Sequence, residues 1–201
     1  MHTPLSQSNS DKLKEKILDA AENRFLTYGY GKTTMAEIAT DAHMSAANLY
    51  RYFHNKQDIA AECAERCMSK QNAHIREAVR QSNLNASQRL HLFAKETYRS
   101  NIDCYKEQPK INELVDYISK ERTALIHKNI DAKCSMIAEI LAQGNETSEF
   151  KVTDIINTAR TIYSTLIVFD VPLFLSLFTE EEFEKMATST VNLLIDGLKK
   201  C

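Results

Sequence analysis

Residues Thr34 to Phe53 read TMAEIATDAHMSAANLYRYF, and this stretch decides the fold. Thr34 is a favourable N-cap residue, and Glu37 three positions later completes a capping box, in which each side chain satisfies a backbone N–H of the other residue. The apolar Ile38 then faces inward. The pattern predicts a short helix that begins after Thr34 and ends near Ala42.

A second short helix follows after a brief turn. Ser45 is its N-cap candidate, and the residues from Ala46 to Phe53 suffice for two turns. Helical spacing places Leu49, Tyr52 and Phe53 on one side. The other side carries Ala47, Tyr50, Arg51 and His54. Two short helices joined by a tight turn predict a helix-turn-helix, although such spacing also arises by chance in helical proteins.

The rest of the chain predicts further helices and an all-α fold. Apolar residues recur every three to four positions from Asp11 to Tyr28, and Asn55 is a cap candidate for a long helix from Lys56 to about Gln81. Residues 144–148 predict a loop, and Pro172 predicts a break. The remaining predicted helices are Ser87 to Glu107, Pro109 to Ser119, Arg122 to Gln143, Thr153 to Phe169 and Glu180 to Lys199, the last preceded by a second capping box at Thr179 and Glu182.

The distribution of charge bears on a nucleic-acid function. The 201 residues have a formal net charge of -2, which excludes a generally basic protein that coats nucleic acid. No Asp or Glu occurs from Ala42 to Gln57, however, where Arg51 and Lys56 lie close to two histidines, His43 and His54. This stretch predicts a small local cationic strip. A solvated helix face explains so short a gap in acidic residues equally well.

Targeting and cysteine patterns favour the cytoplasm. The polar first ten residues lead into a charged segment without the apolar region of a signal peptide. The most apolar stretch, Thr161 to Phe178, is interrupted by Asp170 and Pro172 and is too short and too polar to span a bilayer. The five cysteines are odd in number and contain no Cys-x-x-Cys pair, which indicates free thiols in a reducing compartment. We therefore predict a cytoplasmic protein without a membrane partner.

The sequence lacks the common catalytic motifs. It has no nucleophile elbow, no His-Glu-x-x-His, no P-loop and no dinucleotide-binding loop, and its four glycines leave little material for phosphate-cradling turns. We expect no enzyme, no catalytic residues and no cofactor. Cys63, Cys67 and His74 fall on one helical stripe, where they could form a partial metal site or a redox sensor. A buried structural pair of cysteines is the commoner outcome of this spacing, so no metal site is expected.

The segment Ile17 to Ile59 resembles the N-terminal domain of the tetracycline-repressor (TetR) family. It has the family pattern at Phe25, Gly29, Tyr30, Thr33, Thr34, Ile38, Ala39, Ser45, Leu49, Tyr50, Phe53 and Lys56. Residues Asn48 to Lys56, NLYRYFHNK, are similar to the family's recognition-helix signature. Two positions depart from the pattern. His43 occupies a turn position where the family usually has a left-handed Gly, so we expect strain there, and Tyr52 stands where many members have His.

The resemblance implies a DNA-binding site within this segment. Its predicted residues are Thr33, Thr34, Ser45, Ala46, Ala47, Asn48, Tyr50, Arg51, Tyr52 and Lys56. The hydroxyl groups suit phosphate contacts, and Lys56 stands where family members place a phosphate-binding lysine. The small Ala46 and Ala47 let the helix enter the major groove, where a methyl group can touch a thymine methyl. For Tyr52, packing beside Leu49 is an equally good interpretation.

The same resemblance implies two domains and a function. Residues 1–55 would form a three-helix helix-turn-helix domain that binds DNA, and residues 56–201 a larger helical domain for ligand binding and dimerisation. The implied protein is a transcriptional regulator, a repressor that binds a palindromic operator as a homodimer and is released by a small-molecule effector of unknown identity. The alternative is a helical ligand-binding or interaction protein without DNA-binding activity.

The C-terminal part leaves two questions open. Its apolar residues can supply either a dimer interface or ordinary core, and they include Leu166, Ile167, Val168, Phe169, Leu173, Phe174, Leu175, Phe183, Met186, Val191, Leu194 and Leu198. The effector-binding residues are unknown. Side chains that could line a mixed apolar and polar cavity are Tyr98, Tyr105, Tyr117, His127 and Tyr163, although for each of them an ordinary place in the core or at the surface is the commoner outcome.

Overall fold

The computed structural model describes residues 9–81, 83–107, 110–171, 174 and 177–200. No strand occurs in these ranges, and the predicted all-α fold is confirmed. The helices are α1 (Asn9–Tyr28), α2 (Met35–Asp41), α3 (Ala46–Leu49), α4 (Lys56–Val79), α5 (Ala86–Glu107), α6 (Ile111–Glu121), α7 (Thr123–Glu146), α8 (Ile155–Leu166), a 3-10 helix (Ile167–Phe169) and α9 (Glu180–Lys200).

The helices group into two compact units. The first comprises the described residues of Met1–Cys67 and Gln108–Leu125, and the second those of Met68–Glu107 and Ile126–Cys201. The division therefore falls inside α4, and α6 belongs to the first unit although 40 residues of the second precede it in the chain (68 through 107). The predicted functional boundary between residues 55 and 56 stays a prediction.

The first unit is built on the apolar stripe of α1. Ile17, Ala21 and Phe25 are fully buried, as the helical spacing predicts, whereas Tyr28 at the end of the stripe is 55% exposed. Helix α2 packs against α1 and α3. Its buried side chains meet those of α3 and its following turn and of α4, namely Ile38, Ala39, Leu49, Phe53 and Ile59. Each such aliphatic or aromatic side chain contributes about 1.5–3 kcal/mol through burial.

The second unit has a larger core of its own, built mainly where α5 packs against α9. Phe183 of α9 meets Phe169 and Tyr98 edge to face, with ring centroids 5.1 and 6.3 Å apart. Several of the C-terminal apolar residues noted above belong to this core: Leu166, Phe169, Phe183, Val191 and Leu198. Leu173 and Leu175 lie outside the described residues.

The second unit also contains a buried group of polar side chains around Asp170. The Lys133 side chain is 0% exposed, and its Nζ lies 2.5 Å from Oδ1 of Asp170. Tyr163 donates its hydroxyl to Oδ2 of the same carboxylate at 2.6 Å, and Asn101 Nδ2 donates to Oδ1 at 3.2 Å. One carboxylate thus joins residues of α5, α7 and α8. Burial, followed by the charge of Asp170, raises the pKa of Tyr163.

Two predicted elements differ from the structure. Helix α3 ends at Leu49, not Phe53, because Arg51 and Tyr52 donate to carbonyls three residues back and the chain tightens into turns. The loop predicted at 144–148 begins later, since α7 continues to Glu146. Gly144 serves as a packing position there, because a Cβ would lie 2.2 Å from the Phe150 ring. The predicted roles of Pro109 and Pro172 lie outside the described residues.

Candidate nucleic-acid interface

Helix α2 begins with the predicted capping box. Thr34 Oγ1 accepts from the Glu37 N–H at 3.3 Å, and Glu37 Oε2 accepts from the Thr34 N–H at 2.9 Å and from its hydroxyl at 2.8 Å. The Thr34 side-chain and backbone hydrogen bonds lower the pKa of Glu37. Thr34 is exposed, so its hydroxyl lies at the surface at the start of α2.

The turn between α2 and α3 is left-handed at His43, where φ is 55°. This is the left-handed conformation that the resemblance implies at His43, a region that a residue with a Cβ adopts only with strain. The turn is closed by the N–H of His43 on the Thr40 carbonyl at 3.0 Å and by the N–H of Met44 on the Ala39 carbonyl at 2.9 Å. It directs the chain from α2 into α3.

Helix α3 presents one face to solvent. Ser45 is its N-cap, with Oγ accepting from the Asn48 N–H at 3.2 Å. Leu49 and Phe53 are buried beneath it. The exposed residues on and after the helix are Ala47, Tyr50, Arg51 and His54, as the sequence predicts, and Ala46, Asn48 and Tyr52 are partly exposed. Tyr50 is 50% exposed, so an aromatic ring with a phenol group projects from this face.

Thr33 does not belong to the exposed face. Its side chain is 2% exposed, and its hydroxyl donates to the Gly29 carbonyl at 2.9 Å. The hydroxyl is therefore used inside the protein, and this placement gives no support to direct contact between Thr33 and DNA. The neighbouring Lys32 is exposed and makes no ion pair with the part of the chain that the structure describes. It adds a cation that the predicted set did not contain.

Lys56 also points inward. Its Nζ donates to the carbonyls of Tyr30 and Thr33, both at 2.8 Å, and lies 4.4 Å from the centroid of the Tyr30 ring. Burial lowers the pKa of this ammonium, while the charge of Glu37 opposes that change. Lys56 therefore fastens the start of α4 to the turn that precedes α2. Its geometry is that of a positioning residue.

Helix α6 holds the same turn from the other side. Glu113 Oε2 accepts from the Gly31 N–H at 3.2 Å, and the Tyr117 ring stacks on Tyr30 with centroids 4.4 Å apart. A Cβ at Gly29, where φ is 92°, would lie 2.5 Å from the Glu113 carboxylate. Burial and a hydrogen bond with Tyr117 raise the pKa of Tyr30.

Helix α6 and the residue after it also contact the start of α4. Arg122, which follows α6, donates from Nη2 to Oδ1 of Asp58 at 3.0 Å, and the interaction with Tyr117 is the first cause that raises the pKa of Arg122. Sequence reasoning did not assign Glu113, Tyr117 and Arg122 to this site because they lie more than 50 positions beyond the helix-turn-helix. Tyr30 was their only local signal, as a large aromatic residue between two glycines.

Two arginines fix α1 to its neighbours in the first unit. Arg24 forms a two-pronged pair with Asp41 of α2, with Nε to Oδ2 at 2.6 Å and Nη2 to Oδ1 at 3.0 Å. Arg66 of α4 meets three carboxylates spaced along α1, those of Glu15, Asp19 and Glu22. The Arg24 pair joins α1 to α2, and the Arg66 pairs join α1 to α4, so that α1 is tied to both of its neighbours.

Cys63 and His74, which the sequence places on one helical stripe, have different partners in the structure. Cys63 is buried with its thiol 3.6 Å from the Leu18 carbonyl, and burial raises its pKa to about 12. His74 Nε2 lies 3.0 Å from Glu96. Within the described ranges, no group of three or more His, Cys, Asp or Glu side chains is arranged to hold a metal ion, and no helix is long and apolar enough to cross a membrane.

An exposed short helix behind a left-handed turn, supported by α1 and α2, defines a helix-turn-helix protein. The sequence profile of the bacterial regulatory proteins of the tetR family matches residues 17–63, and that of the tetracyclin repressor-like C-terminal domain matches residues 86–191. The second match alone spans more than half of the chain. The chain therefore belongs to the TetR family of bacterial regulatory proteins.

Individual relatives agree with this assignment. The biofilm operon icaADBC HTH-type negative transcriptional regulator IcaR of Staphylococcus epidermidis is 33% identical over 57 residues, which span 28% of this chain and 31% of IcaR. A putative TetR-family regulator structure from Mesorhizobium loti has a TM-score of 0.78 at 20% identity, over 94% of this chain and 98% of that one. SmeT, the repressor of a Stenotrophomonas maltophilia multidrug efflux pump, has a TM-score of 0.66 at 17% identity, over 92% and 89% of the two chains. At such identities the structures show the shared fold.

Proposed function

We propose that this protein is a transcriptional repressor that binds a palindromic operator as a homodimer and leaves it when a small-molecule effector binds. Residues 1–55 would contact the DNA, and residues 56–201 would hold the effector and the dimer interface. Repression is supported by the relationship to IcaR, a negative transcriptional regulator. The observation that carries DNA binding is the solvent-facing side of α3, which offers Tyr50 and Arg51 without acidic neighbours from residue 42 to 57.

The proposed contacts divide into two kinds. Ala46, Ala47 and Asn48 lie where base edges would be read, because small side chains allow close approach to the major groove. Phosphate contacts fall to exposed polar groups at the helix ends, which are Thr34, Ser45, Tyr50, Arg51, Tyr52 and the additional Lys32. Thr33 and Lys56 support the site from within, since their polar groups are engaged by backbone carbonyls.

Dimerisation is supported by exposed apolar side chains near the C-terminus. Ile156 of α8 is 66% exposed and Leu193 of α9 is 75% exposed, with Ile167 and Met186 at 39% and 37%. Isolated exposed apolar residues are common, but four large ones on the last helical segments favour a symmetric interface. A dimer also meets the mechanical need of a palindrome, which requires two α3 helices about one turn of DNA apart.

Selection of genomic fragments with the purified protein, followed by titration of the enriched site at several salt concentrations, tests the proposal. A palindromic site should bind at least about 1,000-fold more tightly than random DNA, with an affinity that falls steeply in salt. Tyr50→Ala and Arg51→Gln should weaken operator binding without altering dimer mass or helical content. Lys70→Gln, a change of an exposed residue on α4 in the second unit, is the matched control. A folded dimer that enriches no site, with or without cell extract metabolites, would favour the ligand-binding alternative.

A further inference from the structure

The second unit contains a cleft of about 410 Å³ between α5 and α9. This volume lies within the range of about 300–1,000 Å³ typical of small-molecule sites. The cleft exists because Ala94 and Ala187, at 3% and 2% exposure, stand at its floor where larger side chains would fill the space. Leu92 and Val191 complete an apolar lining. A ligand that fits here needs an apolar body.

The rim of the cleft carries more basic than acidic side chains. His91 and Lys95 lie one turn apart on α5, and neither makes a hydrogen bond or ion pair with any residue in the described ranges. Across from them lies Glu184 of α9, and burial, followed by the interaction with Glu184, raises the pKa of Tyr98 to about 12. The rim thus carries two basic side chains without a partner in the described ranges against one exposed carboxylate.

From this arrangement we propose that the α5–α9 cleft binds an amphipathic carboxylate, a molecule with an anionic head and an aliphatic tail. The head pairs with Lys95 and His91, and the tail lies along Leu92, Ala94 and Ala187. The inference rests on the proposed function in one respect only, which is that this ligand is the effector that releases the operator. The binding site itself follows from the cleft.

Calorimetric titration of the full-length protein with octanoate, decanoate and dodecanoate, each below its micelle concentration, tests the site directly. Affinity should rise about two- to fourfold for each added methylene, because the tail is buried in an apolar cleft that is partly open. Decylammonium, with the same tail and a positive head, should bind at least about tenfold more weakly than decanoate. Equal binding of both, or preference for the cation, would show that Glu184 governs the rim and would overturn the proposal.

Variants locate the site. Lys95→Gln should reduce decanoate affinity about fivefold, the effect of one solvent-exposed ion pair, and H91Q combined with it should reduce it further. Thr188→Phe, at an exposed position lining the cleft, should abolish binding by filling the volume without disturbing the core. Lys70→Gln should change nothing. Binding that is unaffected by the three cleft variants, or absent in the unaltered protein, refutes the site.

A separate measurement tests whether the carboxylate acts as the effector. Saturating decanoate should weaken operator binding of the unaltered protein and leave that of Thr188→Phe unchanged. If decanoate binds in the cleft while operator affinity stays constant, the effector clause is wrong and DNA binding stands. If no operator exists, the proposed function fails, and calorimetry still decides whether the cleft binds carboxylates.

Discussion

Lys56 in the first unit and Lys133 in the second are both withdrawn from water, but they are stabilised differently. Lys56 is partly buried and donates hydrogen bonds to two backbone carbonyls, with an aromatic face as a third partner. Lys133 is fully buried and pairs with the carboxylate of Asp170, which is 6% exposed. Neutral carbonyls can hold an ammonium that keeps some water, whereas a fully buried ammonium needs an opposite charge.

The partners of the two lysines differ, and so do the expected effects of removing them. In the first unit, the turn at residues 29–33 is held by hydrogen bonds from Lys56 to neutral carbonyls. This turn leads directly into α2, and α2 leads into α3. The second unit places a charged pair in its core, where removal of either partner leaves an unpaired ion. We therefore expect changes around Lys56 to act on both stability and DNA binding, and changes around Lys133 to act mainly on stability, with the larger loss of stability at Lys133.

The largest effect is expected at the buried pair. Asp170→Asn should lower the free energy of unfolding by about 3–5 kcal/mol, because it leaves the Lys133 ammonium buried without a counter-charge. Urea unfolding at fixed protein concentration measures this, since stability of a dimer depends on concentration. Asp131→Asn is the control, as its carboxylate pairs with Arg160 at 3.2 Å with both side chains more than 60% exposed. Equal effects of the two changes would remove the distinction between core and surface pairs.

A medium effect is expected at the turn. Lys56→Gln should reduce the free energy of unfolding by about 2–3 kcal/mol through loss of charged hydrogen bonds to two carbonyls, and should also weaken operator binding. Lys32→Gln should leave stability unchanged while lowering the salt dependence of operator binding by about one phosphate contact. Denaturation and salt titration of both variants distinguish support from contact. If Lys56→Gln changed only the salt dependence, its inward geometry would not persist on DNA.

A smaller effect is expected from α6. Tyr117→Leu removes the ring stacked on Tyr30 and should cost about 1 kcal/mol of stability, with a loss of operator affinity although residue 117 lies outside α1 to α3. Tyr117→Phe keeps the stacked ring and should restore most of both. Amide hydrogen exchange at residues 29–34 reports whether the turn has loosened. Unchanged exchange in Tyr117→Leu would show that α6 does not hold the turn.

The smallest effect compares the two capping boxes, one in each unit. Hydrogen bonds from Thr34 lower the pKa of Glu37, and those from Thr179 lower the pKa of Glu182. Each carboxylate therefore stabilises the fold above the ordinary glutamate pKa of about 4.3, and this contribution is lost as the pH falls through the lower folded-state pKa. Carboxyl titration by NMR should show both midpoints below that of a free glutamate. Thr34→Ala and Thr179→Ala should each raise one midpoint part of the way to the ordinary value, because each removes the hydroxyl hydrogen bond and keeps the one from the backbone N–H. No rise would exclude the hydroxyl as a cause.

Local signals predicted what is local. The caps at Thr34, Ser45 and Thr179 follow from residues within a few positions of one another, and the structure confirms them. The left-handed turn at His43 was implied by the resemblance to the TetR family, and it is confirmed as well. The prediction that α3 ends at Phe53 was wrong, because tight turns satisfy the apolar spacing from Leu49 to Phe53 equally well.

Long-range contacts were not predictable in the same way. Glu113 reaches Gly31 across 82 positions, and Asn101 reaches Asp170 across 69. No period or motif encodes such pairs in a single sequence. For Thr33 and Lys56, the residue types suit phosphate binding and internal hydrogen bonding alike, so their inward direction appears only when the fold is known.

The membership of α6 in the first unit has a consequence for the order of folding during synthesis. A growing chain that has emerged through Cys67 contains α1 to α3 and the start of α4, but it lacks Glu113 and Tyr117. The turn at residues 29–33 can gain these contacts only after the ribosome has released the chain to about Leu125. Domains tend to fold in order of emergence, yet here the N-terminal unit must wait for a segment that follows 40 residues of the other unit. The nascent protein thus acquires its finished recognition surface only after residues 68–107 of the second unit have already left the ribosome.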